Sequence, residues 1–135
     1  MSQEGERTQL TDDVSLIQAA LSLPVRLDRR EDRVALELHR EVLRVMLTDL
    51  TRVRTRALEN VDPMRASMRS SMAQGWMTQW EQLLTGPLED LVNVMVDPSE
   101  RGVDLRQVGP FLGVLSQQER LNAISRASRG HTSAA

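Results

Sequence analysis

The sequence predicts an all-α fold, a compact bundle of about five helices around one long central helix. Three observations carry that prediction. No stretch alternates apolar and polar residues between turn signals as a strand does. Helix-start signals recur along the chain, in Asp28-Arg29-Arg30-Glu31, Asp62-Pro63, Asp97-Pro98-Ser99-Glu100 and Ser116-Gln117-Gln118-Glu119. The run from Asp28 to Glu59 carries apolar residues around more than half of a helical circumference, as a helix touched from several sides requires.

Taken in order, residues 1–10 read as a disordered leader. Thr11 caps a short helix with Asp12 and Asp13 in its first turn, and Pro24 stops it. The long helix starts at the Asp28 cap. Val34, Leu36, Leu38, Val42, Leu43, Val45, Met46, Leu47, Leu50 and Val53 form its broad apolar arc. Glu37, Arg40, Glu41, Arg44, Thr48 and Thr51 share the narrow polar face. Asn60 closes it, and Asp62-Pro63 opens a third helix to about Thr85, with Met64, Met68, Met72, Trp76 and Trp80 as a slanting ridge four residues apart. That ridge reads as core filler or as an adaptable partner surface.

Gly86-Pro87 breaks the chain before a short helix bearing Leu88, Leu91, Val92 and Met95. Asp97 then caps a short segment with Pro98 at its first position, running to about Gln107 and stopped by Gly109-Pro110. The apolar loop Phe111, Leu112, Val114 and Leu115 plugs into the core. The last helix follows the Ser116 capping box with Leu121, Ile124 and Ala127 inward, and residues 130–135 form a flexible tail. Residues 11–129 thus make a single domain.

Composition narrows the function classes. The 135 residues include no cysteine, which removes disulfides, thiol nucleophiles and thiolate metal sites. All 17 cations are arginine, which reads as the codon bias of a GC-rich, actinobacterial-type genome or as an arginine-selected surface for carboxylate or phosphate. A net charge of −2 argues against nucleic-acid binding by bulk charge. No apolar run reaches the ~20 residues of a membrane span, and the polar N-terminus is unlike a signal peptide, so a cytoplasmic location is expected.

No catalytic or metal-binding constellation emerges, and no cofactor is expected. His39 lies within the apolar arc, and Glu37 and Glu41 point away from it, so the carboxylate–histidine pairing of metal bundles is missing. A histidine hydrogen-bonded to a backbone carbonyl or carboxylate at the core edge is the simpler reading. Arg106 either anchors its loop to carboxylates or helix-end carbonyls, or forms with Gln107 and Phe111 an exposed arginine–aromatic hot spot. Arg52, Arg54, Arg56, Arg65 and Arg69 gather around the Asn60 turn, as solvated helix ends or as a corner for phosphate or an acidic partner. A helix-turn-helix over 42–72 fits poorly, because its second helix is methionine-rich where base-reading side chains belong.

Leu38-His39-Arg40-Glu41, Trp80-Glu81, Gly86-Pro87, Leu105-Arg106-Gln107, Pro110-Phe111, Gly113-Val114-Leu115-Ser116 and Glu119-Arg120 together resemble a family of small uncharacterised all-helical bacterial proteins. That family is mainly actinobacterial and is associated with toxin–antitoxin or regulator-like gene neighbourhoods. The similarity covers roughly residues 33–126, and no activity or site comes with it. The expected function is a non-enzymatic interaction module, antitoxin-like or a regulatory subunit, binding a protein partner such as a toxin or pairing as a homodimer. Its partner-binding residues are Arg106, Gln107, Phe111, Arg120, His39 and Arg40. The alternative is a DNA-binding transcriptional regulator using the arginine corner.

Overall fold

The computed structural model describes the backbone of residues 2–133 and the side chains of residues 8–129. Among the described residues there are six helices and no strand: α1 (Ser2–Ser22), α2 (Arg30–Ser67), α3 (Ser71–Thr85), α4 (Leu88–Met95), α5 (Glu100–Gln107) and α6 (Gln117–Ser133). The long helix is central as expected, and α2 packs against each of the other five. No helix is long and apolar enough to cross a membrane.

The outer boundaries differ from the local signals. α1 begins at Ser2, so Thr11 lies inside it, and residues 2–10 are helix where a disordered leader was expected. Gln3, Glu4, Glu6 and Arg7 are good helix formers, and acids near a helix N-terminus suit its dipole. α6 continues through Gly130 to Ser133, so the helix extends into the expected tail.

α2 also departs from its cap signals. It starts at Arg30 with Arg29 in the capping position and no side-chain cap bond, so Asp28 does not serve. It then bends at Asp49, whose backbone is non-helical (φ −156°, ψ 77°). Asp49 Oδ1 accepts a hydrogen bond from Arg52 N at 3.1 Å, the geometry of an N-cap placed inside the helix. Below the bend Leu36, Val42, Leu43, Val45 and Met46 are buried, and beyond it Val53, Ala57 and Val61.

The expected stop at Asn60 does not occur. Asn60 remains helical and its amide donates to Pro110 O (2.9 Å) and Leu112 O (2.8 Å), fastening the 108–116 loop to α2. With Val61 buried one residue later, tertiary contact carries the helix through Pro63, and the break falls at Met68–Ser70. Ser70 then caps α3, its hydroxyl accepting from Ala73 N at 3.0 Å. Met64 and Met68 therefore lie outside α3, and Met72 is 72% exposed, so the single ridge is not formed. The stripe that α3 buries is Met77, Trp80 and Leu84, so Trp80 keeps its expected inward place and Met77 rather than half-buried Trp76 is the buried residue before it.

The later punctuation holds at α6 but shifts at α5, which is capped by Ser99 rather than by the expected Asp97, whose carboxylate instead accepts from Ser99 N at 2.8 Å. Ser99 Oγ accepts from Gly102 N at the start of α5. Ser116 and Glu119 make a reciprocal capping box before α6, Ser116 N donating to the carboxylate (2.8 Å) and Glu119 N to the hydroxyl (3.1 Å). Phe111 and Val114 plug the core as expected, whereas Leu112 is 70% exposed. The polar face of α2 is partly covered as well, while Thr48 and Thr51 stay exposed. Glu41, only 6% exposed, accepts from Arg44 (2.9 Å) and from Arg126 of α6.

Two substitutions test these assignments by urea denaturation. Gly113 has φ +82°, and a β-carbon there would meet Arg56 Nη2 at 2.9 Å, so Gly113→Ala should destabilise by about 1–2 kcal/mol. Gly75 lies in α3 with nothing within 4 Å of an added β-carbon, so Gly75→Ala should stabilise by about 1 kcal/mol.

Candidate functional site

One trough combines apolar walls with buried polar groups. It has a volume of about 790 Å³ and runs between the first half of α2 and the 108–116 loop. Val34, Ala35, Leu38 and Val42 form its α2 wall, and Met64, Phe111, Leu112 and Leu115 face them. Val34 and Leu38 are the half-buried members of the α2 apolar arc along it, while Ala35 and Val42 are buried. The charged residues lining it are Arg30, Glu31, Arg106 and Arg120.

His39 and Phe111 belong to both the trough and the core. His39 stacks on Trp80 (centroids 5.8 Å apart, planes 19°), and Phe111 meets both rings edge-on, at 5.4 Å from His39 and 5.3 Å from Trp80. His39 Nδ1 lies 2.7 Å from Ala35 O, and a carbonyl only accepts, so Nδ1 carries the proton. Nε2 is buried with no hydrogen-bond partner, against Gly109, where an added β-carbon would fall 2.4 Å away. Burial pushes the His39 pKa down to about 4, and the nearby Arg106 charge pushes in the same direction, against the Ala35 hydrogen bond.

Arg106 is 3% exposed. Its Nη1 donates to Val94 O (3.0 Å) and Asp97 O (2.7 Å), tying α5 to the end of α4. The loop-anchoring alternative thus describes this residue. An exposed hot spot is not formed, because both Arg106 and Phe111 are buried by the α4–α5 turn and the aromatic cluster.

Of the expected partner-binding residues, His39, Arg106, Gln107, Phe111 and Arg120 come together around the trough. Arg40 does not. It bonds Glu37 (2.6 Å) and Leu23 O (2.7 Å), on the side where the α1 end passes. Sequence reasoning missed the trough walls as a site, since Val34, Leu38 and Met64 carry the same apolar signal as core residues.

The arginine corner is partly consumed by the fold. Arg54 closes the end of α3 through Leu84 O (2.9 Å) and Gly86 O (3.1 Å). Arg65 bridges Asp62 (3.1 Å) and Glu81 (2.6 Å), whereas Arg52, paired with Asp49 (3.7 Å), Arg56, paired with Glu59 (3.5 Å), and Arg69 are exposed. Because the helix does not turn at Asn60, the five do not converge as expected. Among the described residues no group of three or more His, Cys, Asp or Glu is placed to hold a metal ion.

Compared with known proteins, the chain matches no family model, no curated protein and no solved structure.

The buried histidine gives a pH signature. Its folded pKa lies below the unfolded 6.5, so between those values the unfolded chain binds the extra proton. The His39 contribution should be intact above about pH 6.5 and fall by on the order of 3 kcal/mol as pH drops toward about 4. Urea midpoints measured across that window should show the decline, and His39→Gln should flatten it.

Proposed function

We propose that this chain is a non-enzymatic interaction module that seats a segment of a partner protein in the trough. The observation that carries the proposal is an apolar channel of about 790 Å³, flanked by exposed Arg30, Arg120 and Leu112. Apolar clefts with a few fixed polar groups suit ligands or inserted side chains, and a rigid helix wall presents anchors at helical spacing. An antitoxin-like or regulatory subunit acting in the cytoplasm is the form that the sequence resemblance favours.

The state of His39 supports a binding role over a catalytic one. A general base needs an accessible nitrogen and a proton affinity near the working pH, whereas His39 has one nitrogen held by Ala35 O and the other packed on Gly109. Its low pKa comes from burial in an aromatic cluster that also supports the fold.

The test is site-specific photo-crosslinking in host cells. A photoreactive amino acid replacing Leu112, beside the trough, should yield one discrete adduct with another protein, and the same group at exposed Thr78 on α3 should not. An adduct with a second copy of this chain would replace the partner by self-association. No adduct at Leu112 would overturn the proposal. For a partner so identified, Val34→Trp, which fills the trough wall, should weaken binding by about a hundredfold, equivalent to roughly 3 kcal/mol.

A further inference from the structure

Within the trough, Arg106 has unusual chemistry. Its Nη1 is satisfied by two backbone carbonyls, yet Nε and Nη2 are buried without a hydrogen-bond partner in the protein. These two nitrogens form one edge of the guanidinium, the side-on fork that matches the two oxygens of a carboxylate. None of the ion pairs found among the described residues includes Arg106. Asp97 and Asp32 act on it only through the field between charges. A buried guanidinium with half its donors unmatched is costly to keep, and a structural anchor for two carbonyls needs no fork at all.

The charge around the trough points the same way. Arg30, Arg106 and Arg120 line it against Glu31 alone, and Glu31 is already paired with Arg29 at 2.6 Å. His39 Nε2 is a neutral acceptor packed on Gly109, so it offers an anion neither a donor nor a charge. Gln107, the next residue in the chain and exposed, also lines the trough and donates to Asp32 (2.9 Å).

We propose that Arg106 is the carboxylate seat of the trough, and that the bound segment is an apolar stretch interrupted by one Asp or Glu. The proposal rests on the partner-binding reading above and adds its chemistry. The acidic side chain forms two parallel hydrogen bonds to Nε and Nη2, while its apolar neighbours lie along Val34, Leu38 and Leu115. Desolvation makes the pair selective, because a buried guanidinium edge rejects a segment that brings no anion to it.

The test uses the full-length chain as bait for a phage-displayed library of random dodecapeptides, counter-selected on the Val34→Trp protein. Enriched peptides should share an Asp or Glu flanked by apolar residues. In fluorescence anisotropy with one such peptide, replacing its acid by Gln or Asn should weaken binding by about 10- to 100-fold. Arg106→Lys, which keeps a charge but not the fork, should lose most of that discrimination. If this variant does not fold, judged by circular dichroism, the peptide-side replacement on the native chain decides. Enriched peptides without a shared acid, or an acid-to-amide change without effect, would overturn the carboxylate seat and leave the trough reading standing. Absence of any peptide sensitive to Val34→Trp would overturn both.

Discussion

The structure depends on the burial of one indole. Trp80 is fully buried in α3, and its Nε1 donates to Leu105 O of α5 at 2.8 Å. That hydrogen bond satisfies the only polar atom of the side chain, so the whole ring can serve as core. His39 from α2 stacks on it and Phe111 from the loop closes it edge-on, so three chain segments distant in sequence meet on a single ring. Once Trp80 is placed, α5 has its depth, His39 has its orientation and the 108–116 loop has its plug. The inner wall of the trough is the outer side of this same cluster.

Buried charge is handled in two ways. Glu41, on the polar face of α2, is bonded by Arg44 of the same helix and Arg126 of α6, which makes it a conventional tie between two helices. Arg106 is equally buried but meets only backbone carbonyls, at Val94 and Asp97. A charged group taken from water needs full compensation, and Glu41 has ion-pair partners where Arg106 has none. That contrast separates a side chain whose chemistry the fold uses up from one that still has donors to offer.

The sequence alone determined the helical class, the central place of the long helix, and the start of α6. The last follows from local chemistry: the Ser116 hydroxyl meets the Glu119 N–H within three residues, whatever the rest of the chain does. At α5, by contrast, it is Ser99 and not Asp97, of two neighbouring cap residues, that starts the helix. It also pointed to His39, Arg106, Gln107, Phe111 and Arg120, because polar groups amid apolar runs stand out in any chain. The burial of His39 and Phe111 was legible as well, whereas that of Arg106 was not decided between an anchor and an exposed hot spot.

Only the tertiary structure decided where the long helix ends and what its faces do. Asp62-Pro63 is a sound local start signal, yet Asn60 reaching Pro110 O and Leu112 O, with Val61 buried beside it, keeps the helix going to Ser67. That extension moves Met64 off α3 and onto the trough wall. It likewise separates the arginines that a turn at Asn60 would have gathered. Val34 and Leu38 carry the same apolar signal as Val42 and Leu43, and nothing local distinguishes a residue packed by a neighbour from one left along a channel. Packing between distant segments draws that distinction, because a free surface is whatever the other helices leave uncovered.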